Sequence, residues 1–300
     1  MMVRVSSGSA VRLGLKRMRI DCLPTTIYLM PFGVCKANCL FCSQLVSPDH
    51  LSRVQWPAYP LQDVVSRITD ERVCIQCLNY DTVFSDVLKL VESIRSRSNK
   101  KLNPPISVSA QPFSKQEIVL LKHKIDRISI NLDCATPQLF QKIKPYYTWK
   151  DHVTKLLYAR EIFGPFKASS HLIVGLGECE EDMITLMKFL YTHEISCSLF
   201  AFTPIKGTPL EKKKKPALNY YRRMQAAHYL IYHGEQHFEF EKGKIINFNP
   251  SVPAEAFMTR GCPGCNRPYY TETPSNVYNF PYVPNNKEME MIKKQLAQNE

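Results

Sequence analysis

The chain has 300 residues, 44% of them hydrophobic, and a formal net charge of +12 at pH 7. That length fits one large α/β domain or two small ones, and the excess of base attracts nucleic acid, acidic lipid or an acidic protein alike. No run of about eighteen apolar residues exists to make a transmembrane helix. The basic residues 1–20 lack both a continuous apolar core and a small-residue cleavage site, so they do not read as a secretory signal and a cytoplasmic location is expected.

In chain order, residues 1–24 read as an N-terminal extension. Residues 25–30, β-branched and apolar, read as a first strand that runs directly into a cysteine-rich loop. A helix is expected over 61–69 and a second strand over 72–78. Helix 83–95 then puts Val83, Val87, Leu90, Val91 and Ile94 on one face. The third strand is 106–110, and Ser114 is placed to cap a helix over 115–123. Strand 127–132 precedes helices 136–142 and 150–162, strand 170–174 precedes helix 180–192, and strand 197–202 precedes helix 220–233.

Six strand–helix units in succession imply a parallel sheet with right-handed crossovers. Six is short of a closed eight-unit barrel, so the expected fold is a partial (β/α)6 TIM-type barrel over 25–235, with its chemistry at the C-terminal strand ends. Residues 236–300 break the pattern. One more strand is expected at 244–248, and 250–284, rich in proline, tyrosine and asparagine, is expected to close the barrel mouth.

The first loop reads Pro31-Phe-Gly-Val-Cys35-Lys-Ala-Asn-Cys39-Leu-Phe41-Cys42. Three thiolates at this spacing can hold three irons of a [4Fe–4S] cluster and leave the fourth iron open. Zinc normally takes four N/S ligands, and no histidine lies closer than His50. The chain has eleven cysteines, an odd number that argues against a complete disulfide framework. Two further C-x2-C pairs, Cys74/Cys77 and Cys262/Cys265, suit metal ligation in a reducing compartment, while Cys22, Cys134, Cys179 and Cys197 read as ordinary core or surface thiols. Residues of a strand alternate faces, so only one of Cys74 and Cys77 faces the interior if their strand stays regular.

Asn131-Leu-Asp133 ends the fourth strand, where an amide and a carboxylate can bond a ribose diol, although the same residues also open turns. Gly175-Leu-Gly177-Glu178 follows the fifth and permits close approach of a ligand or an ordinary turn. Lys206-Gly-Thr-Pro-Leu210 leaves the sixth as a stiff basic loop, and Glu211-Lys-Lys-Lys-Lys215 reads as a solvated turn.

With Phe41 before its last cysteine, the triplet resembles the signature of the radical S-adenosylmethionine (SAM) enzymes. The triplet, Asn131-Leu-Asp133, Gly175-Leu-Gly177-Glu178 and Lys206-Gly-Thr-Pro-Leu210, in that order, resemble the biotin synthase branch over about residues 25 to 235. The resemblance implies a cluster on Cys35, Cys39 and Cys42 with SAM on its open iron. It further implies a ribose clamp at Asn131 and Asp133, contact of Gly175, Gly177 and Glu178 with the adenosyl part, and reductive cleavage of SAM to a 5′-deoxyadenosyl radical.

Biotin synthase itself fits poorly, because its second-cluster cysteines on strands three and five are replaced here by Ile106-Ser-Val-Ser-Ala110 and Ser169. Gly261-Cys262-Pro-Gly-Cys265-Asn-Arg-Pro-Tyr-Tyr270 instead resembles the two-protein lipoyl synthases. That implies a second [4Fe–4S] cluster on Cys262, Cys265 and Cys74, joined by Cys77 only if the strand has already broken there. It implies sulfur insertion into an octanoyl chain on an acidic lipoyl carrier domain, with a companion radical SAM subunit and an electron donor such as ferredoxin or flavodoxin. No catalytic residue beyond these cofactors is implied, and neither membrane nor nucleic acid is expected. The rival readings are an atypical biotin synthase or other radical SAM sulfurtransferase and, from another class, a zinc-stabilised nucleic-acid-binding protein with zinc at Cys262 and Cys265.

Overall fold

The computed structural model describes residues 1–97 and 103–298. Strand β1 (Met2–Val5) and helix α1 (Ser7–Arg12) precede β2 (Thr26–Pro31). Three short strands, β3 (His50–Leu51), β4 (Val54–Gln55) and β5 (Ala58–Pro60), and helix α2 (Leu61–Val65) lead to β6 (Arg72–Gln76). Strands and helices then alternate through α3 (Val83–Arg97), β7 (Ile106–Ala110), α4 (Lys115–Lys122), β8 (Arg127–Ile130), α5 (Pro137–Ile143), α6 (Trp149–Phe163), β9 (Ala168–Val174), α7 (Glu180–Thr192), β10 (Ser196–Ala201) and α8 (Leu218–Ile231). The hairpin β11 (Glu239–Glu241) and β12 (Lys244–Ile246) and a last helix α9 (Asn286–Ala297) complete the chain.

Six strands, β2, β6, β7, β8, β9 and β10, pair in parallel and in chain order, which is the expected partial barrel. Period-two alternation explains their two faces. In β9 the buried residues Ala168, Ser170, Leu172 and Val174 alternate with Ser169, His171 and Ile173, which line the barrel interior. In β6, Val73 and Ile75 join the main apolar core, and Cys74 and Gln76 face inward. Tyr28, Cys74, Ser107 and Arg127 stand side by side across β2, β6, β7 and β8. Local signals hold the shell helices: Ser114 and Glu117 close a reciprocal capping box on α4, and Thr136 and Thr148 cap α5 and α6.

The first residues do more than extend the chain. Strand β1 pairs antiparallel with both β2 and β5, so the sheet among the described residues has eight strands, with β5 at one edge and β10 at the other. Val3 and Val5 are fully buried there. Four residues of Met-Val-Arg-Val are too short a run for periodicity to register. The strand expected at 244–248 is one arm of a separate hairpin, turned at Lys242 and Gly243, which both adopt positive φ.

The tail, expected over the mouth, runs along the open side of the barrel from the start of β2 to just past the end of β10. Thr25, at the start of β2, donates from its hydroxyl to Gly264 O at 2.5 Å and accepts Asn266 N–H at 3.2 Å. Arg267 stacks on Phe200 of β10 at 3.7 Å, and Thr203, just past β10, donates to Thr271 O at 2.7 Å. Arg222 of α8, fully buried, bonds the carbonyls of Val277 and Tyr278. The tail therefore bridges the open side between the first and last barrel strands, where unpaired backbone groups and apolar surface need a cover.

Candidate active site

The triplet loop is pinned at both flanks by backbone. Lys36 N–H donates to Asn79 O at 2.7 Å, Leu40 N–H to Ile143 O at 2.9 Å, and Cys42 N–H to Cys39 O at 3.0 Å. Cys35, Cys39 and Cys42 all line one cavity of about 220 Å³ inside the barrel. Asn79 N–H reaches Cys35 Sγ at 3.5 Å. Burial pushes the Cys39 thiol up to about 12 and the Cys42 thiol up to about 11. Phe41 lines the same cavity and packs on a small apolar cluster around Phe140, Ile143 and Phe202.

At the end of β8, Asn131 accepts from Ser129 Oγ at 2.7 Å and donates to Ser109 Oγ at 3.0 Å. Asp133 has φ +63, a left-handed conformation, and lines the cavity. Its backbone bonds His171 O and Ile173 N–H, both at 2.8 Å, which locks the turn onto β9. Burial raises the Asp133 pKa, and Lys144, 2.8 Å from Oδ2, opposes that shift. Lys144 is fully buried and also donates to Asn131 O at 2.6 Å and Gln111 Oε1 at 3.2 Å. Oδ2 is committed to Lys144, and Oδ1 has no hydrogen-bond partner among the described residues.

The glycine stretch behaves otherwise. Gly175, Gly177 and Glu178 are absent from the cavity wall, unlike Asn131 and Asp133. A Cβ on Gly175 would sit 2.9 Å from Pro216, so the bare backbone makes room for that proline. The Glu178 carboxylate turns back on its own loop, accepting Gly175 N–H at 2.5 Å, Gly177 N–H at 2.9 Å and the Tyr220 hydroxyl at 3.0 Å. Lys206 is exposed, and Gly207 packs against Val46 just beyond the triplet.

Lower in the barrel the tail returns two more thiols to the same cavity. Cys262 Sγ lies 3.2 Å from Ser107 Oγ, and Cys265 Sγ lies 3.0 Å from the Tyr28 hydroxyl. Cys74, their neighbour on β6, accepts from Gln76 Nε2 at 3.0 Å. Burial first, then the nearby Cys262 and Cys265, hold the Cys74 thiol well above its ordinary value. Cys77 also lines the cavity, contrary to strict alternation, because β6 ends at Gln76 and the chain turns there. Burial alone raises its pKa, without influence from the tail pair. Among the described residues no three Cys, His, Asp or Glu side chains converge as a single metal ion would need.

The sequence profile of the radical SAM superfamily matches residues 29–190, more than half of the chain. The chain belongs to the radical SAM superfamily.

Among individual radical SAM relatives, biotin synthase of Methanococcus aeolicus is 27% identical over 187 residues, 59% of this chain and 54% of its own. Biotin synthase of Methanococcus maripaludis strain C6 is 30% identical over 196 residues, 61% of this chain and 56% of its own. The chain thus spans about half the length of the curated relatives it matches. The crystal structure of methylornithine synthase superposes with a TM-score of 0.55 over 69% of this chain and 62% of that one, at 16% identity. A maturase of the [FeFe]-hydrogenase does so at 0.56 over 69% and 50%, at 14% identity. These two likenesses show the fold.

Radical SAM membership implies one [4Fe–4S] cluster and SAM, and the residues fit them. Three thiols share one cavity with a backbone N–H aimed at Cys35, and one carboxylate oxygen of Asp133 has no hydrogen-bond partner among the described residues. A noncatalytic nucleic-acid binder does not account for the match. No helix among the described residues is long and apolar enough to cross a membrane.

Sequence reasoning missed Lys144, Tyr28, Ser107, Arg267 and Tyr147. Lys144 sits at a helix end in Lys142-Ile-Lys144-Pro, and nothing in that local pattern singles it out. Tyr28 and Ser107 were within reach, since both share the inward parity of Cys74 in the sheet register. The Tyr147 hydroxyl is buried at the cavity with no hydrogen-bond partner among the described residues.

Proposed function

We propose that this radical SAM enzyme inserts sulfur into an octanoyl chain on a lipoyl carrier domain, as one subunit of a two-protein lipoyl synthase. One observation carries the reading: Cys262 and Cys265, close to 190 residues beyond Cys74 in sequence, face Cys74 across the cavity that also holds the triplet. The C–H bonds of an octanoyl chain are not acidic enough for any general base, so hydrogen must be abstracted by a carbon radical. When bound, one cluster supplies the electron that splits SAM into methionine and the 5′-deoxyadenosyl radical, and a second supplies sulfur.

The chain's own residues do the rest. Cys35, Cys39 and Cys42 would hold the cluster that activates SAM, Asp133 and Asn131 would take the ribose, and Lys144 balances the buried carboxylate. Cys74, Cys262 and Cys265 would hold the second cluster, which would supply the sulfur. Walls such as Phe200, Phe202 and Ile173 shelter the radical from water. The +12 charge suits an acidic carrier domain, and a companion subunit and a ferredoxin or flavodoxin complete the system.

Iron content decides the matter. Anaerobically reconstituted protein should hold about eight irons, four per cluster. A Cys262→Ala/Cys265→Ala variant should keep about four, still cleave SAM, and fail to thiolate an octanoyl-lysine peptide. Zinc at the tail with four irons in the wild type would overturn the second cluster. The likeness to biotin synthases supports a second reading, sulfur transfer to dethiobiotin. Sulfur delivered there and none to octanoyl-lysine would favour it.

A further inference from the structure

A second cavity, of about 410 Å³, lies between the N-terminal segment around Lys16–Pro24, the β4 hairpin and the tail. Tyr28, Trp56, Arg267 and Tyr270 line both this cavity and the one that holds the cysteines, so they form the partition between the two. Trp56 is 1% exposed, and its backbone N–H is fixed on Asp49 O at 2.6 Å. Its indole Nε1 is buried with no hydrogen-bond partner among the described residues. A buried donor left unpaired is destabilising, and such a group in a cavity wall marks where a ligand acceptor belongs. Tyr28 and Tyr270, both half-buried, also stand at this partition.

The outer wall is basic. Lys16, Arg19 and Arg53 line it, and exposed Arg17 adjoins them. Asp21 is the acidic side chain among them on the outside. Glu272 turns inward, where it accepts from Thr271 N–H and Asn279 N–H, both at 3.1 Å. A cavity with a basic outer rim, an apolar aromatic partition and one unsatisfied N–H matches one chemical object. That object is an acyl-lysine arm projecting from an acidic protein: charge at its base, an amide carbonyl part-way along, hydrocarbon beyond.

We infer that the second cavity is the doorway through which a protein-tethered acyl-lysine arm reaches the barrel, with Trp56 Nε1 donating to the amide carbonyl of the arm and the Lys16–Arg19 strip docking the acidic carrier. This rests on the acyl-carrier reading proposed above.

The test measures binding to cluster-loaded protein and not turnover. Trp56→Phe keeps one aromatic ring and removes the donor together with part of the indole's volume. A carbonyl-free control separates that loss of packing from loss of the hydrogen bond. The variant should bind an octanoyl-lysine tripeptide about fivefold more weakly than wild type, as the loss of one neutral hydrogen bond predicts. A control tripeptide whose alkyl chain is joined by a thioether, with no carbonyl, should bind both proteins alike. Independently, Lys16→Glu/Arg19→Glu should weaken binding of an octanoylated acidic carrier domain by roughly tenfold at low salt and flatten its salt dependence. Equal loss for both tripeptides, or no loss in Trp56→Phe, overturns the hydrogen bond. Wild-type carrier affinity in the charge-reversed variant overturns the docking strip. Both results leave the octanoyl reading standing, whereas a wild type that binds neither octanoyl ligand overturns that reading and the doorway together.

Discussion

At the upper end of the barrel, Cys35, Cys39 and Cys42 fall within eight residues of chain, and backbone bonds to Asn79 and Ile143 fix their loop. At the lower end Cys74 comes from β6, while Cys262 and Cys265 arrive on a tail held largely by side chains. Thr25 and Asn266 tie it to β2, and Arg267 lies on Phe200. The first set needs only a short loop to be ordered, whereas the second must close a loop of nearly two hundred residues before its thiols meet. The tail set is therefore separable from the rest of the fold in a way that the triplet is not.

The largest effect that separates them is on SAM cleavage. Cys39→Ala should abolish 5′-deoxyadenosine formation by reduced, reconstituted protein while leaving the tail set its own iron. Unchanged yield would remove the triplet from the radical step.

Acid should destabilise the fold through three histidines whose pKa burial depresses. His152 Nε2 lies 2.7 Å from Gln111 Oε1, the same oxygen that Lys144 reaches, and burial holds its pKa down at about 3. His171 and His228 are likewise depressed to about 3 by burial. Between the ordinary value of 6.5 and about 3, the unfolded chain binds protons that the folded chain refuses. Stability is thus complete above 6.5 and falls as pH drops through that window. Denaturant unfolding at pH 7 and pH 5 checks this, and His152→Gln should shrink the difference. A larger difference in the variant would reverse the argument.

Next in size comes SAM affinity. Asp133→Ala removes a charged acceptor worth about 1.5–3 kcal/mol, which weakens SAM binding by at least roughly tenfold. Lys144→Met leaves the Asp133 carboxylate buried without its cation, so Asp133 protonates more readily and SAM affinity falls more steeply toward acid than in wild type. Wild-type affinity in Asp133→Ala at unchanged iron content would make Asp133 a turn residue only.

Smallest is the anchor of the tail. Asn266→Ala removes a side chain that accepts Thr25 N–H at 2.9 Å and donates to Leu23 O at 3.0 Å, for about 1 kcal/mol in this exposed setting. Chelator challenge of the reconstituted variant should strip iron from the tail set sooner, with the triplet's iron released at the wild-type rate. Simultaneous loss from both would mean that the two ends are one cooperative unit.

Much of this was legible before the structure, and the reasons differ by element. The six parallel strands carry their own periodicity, and their Cys, Asp and Gly motifs fall at strand ends where a parallel barrel collects its chemistry. Strand β1 went unread because Met-Val-Arg-Val is too short to show a period, and its pairing partners lie 24 to 58 residues away. Helix α9 did carry a signal, the Asn285–Glu288 capping box, but buries a single residue, Ile292. The role of Lys144 depends on which buried carboxylate the fold sets beside it, a long-range fact that no local spacing encodes. Gly175 shows a related limit: glycine permits close approach by anything, and Pro216 packs against it here.

The order of the sheet has a consequence for how the protein is made. Once β1 has been threaded between β2 and β5, every later barrel strand adds beside the one synthesised just before it, from β6 to β10. A nascent chain on the ribosome therefore carries one advancing, unpaired parallel edge, with β5 guarding the opposite flank from the start. That edge stays open until the tail reaches from Thr25 to Thr203. A nascent chain stalled before residue 260 thus exposes the β10 edge to other chains, and a chaperone that shields this edge would act on that interval of synthesis.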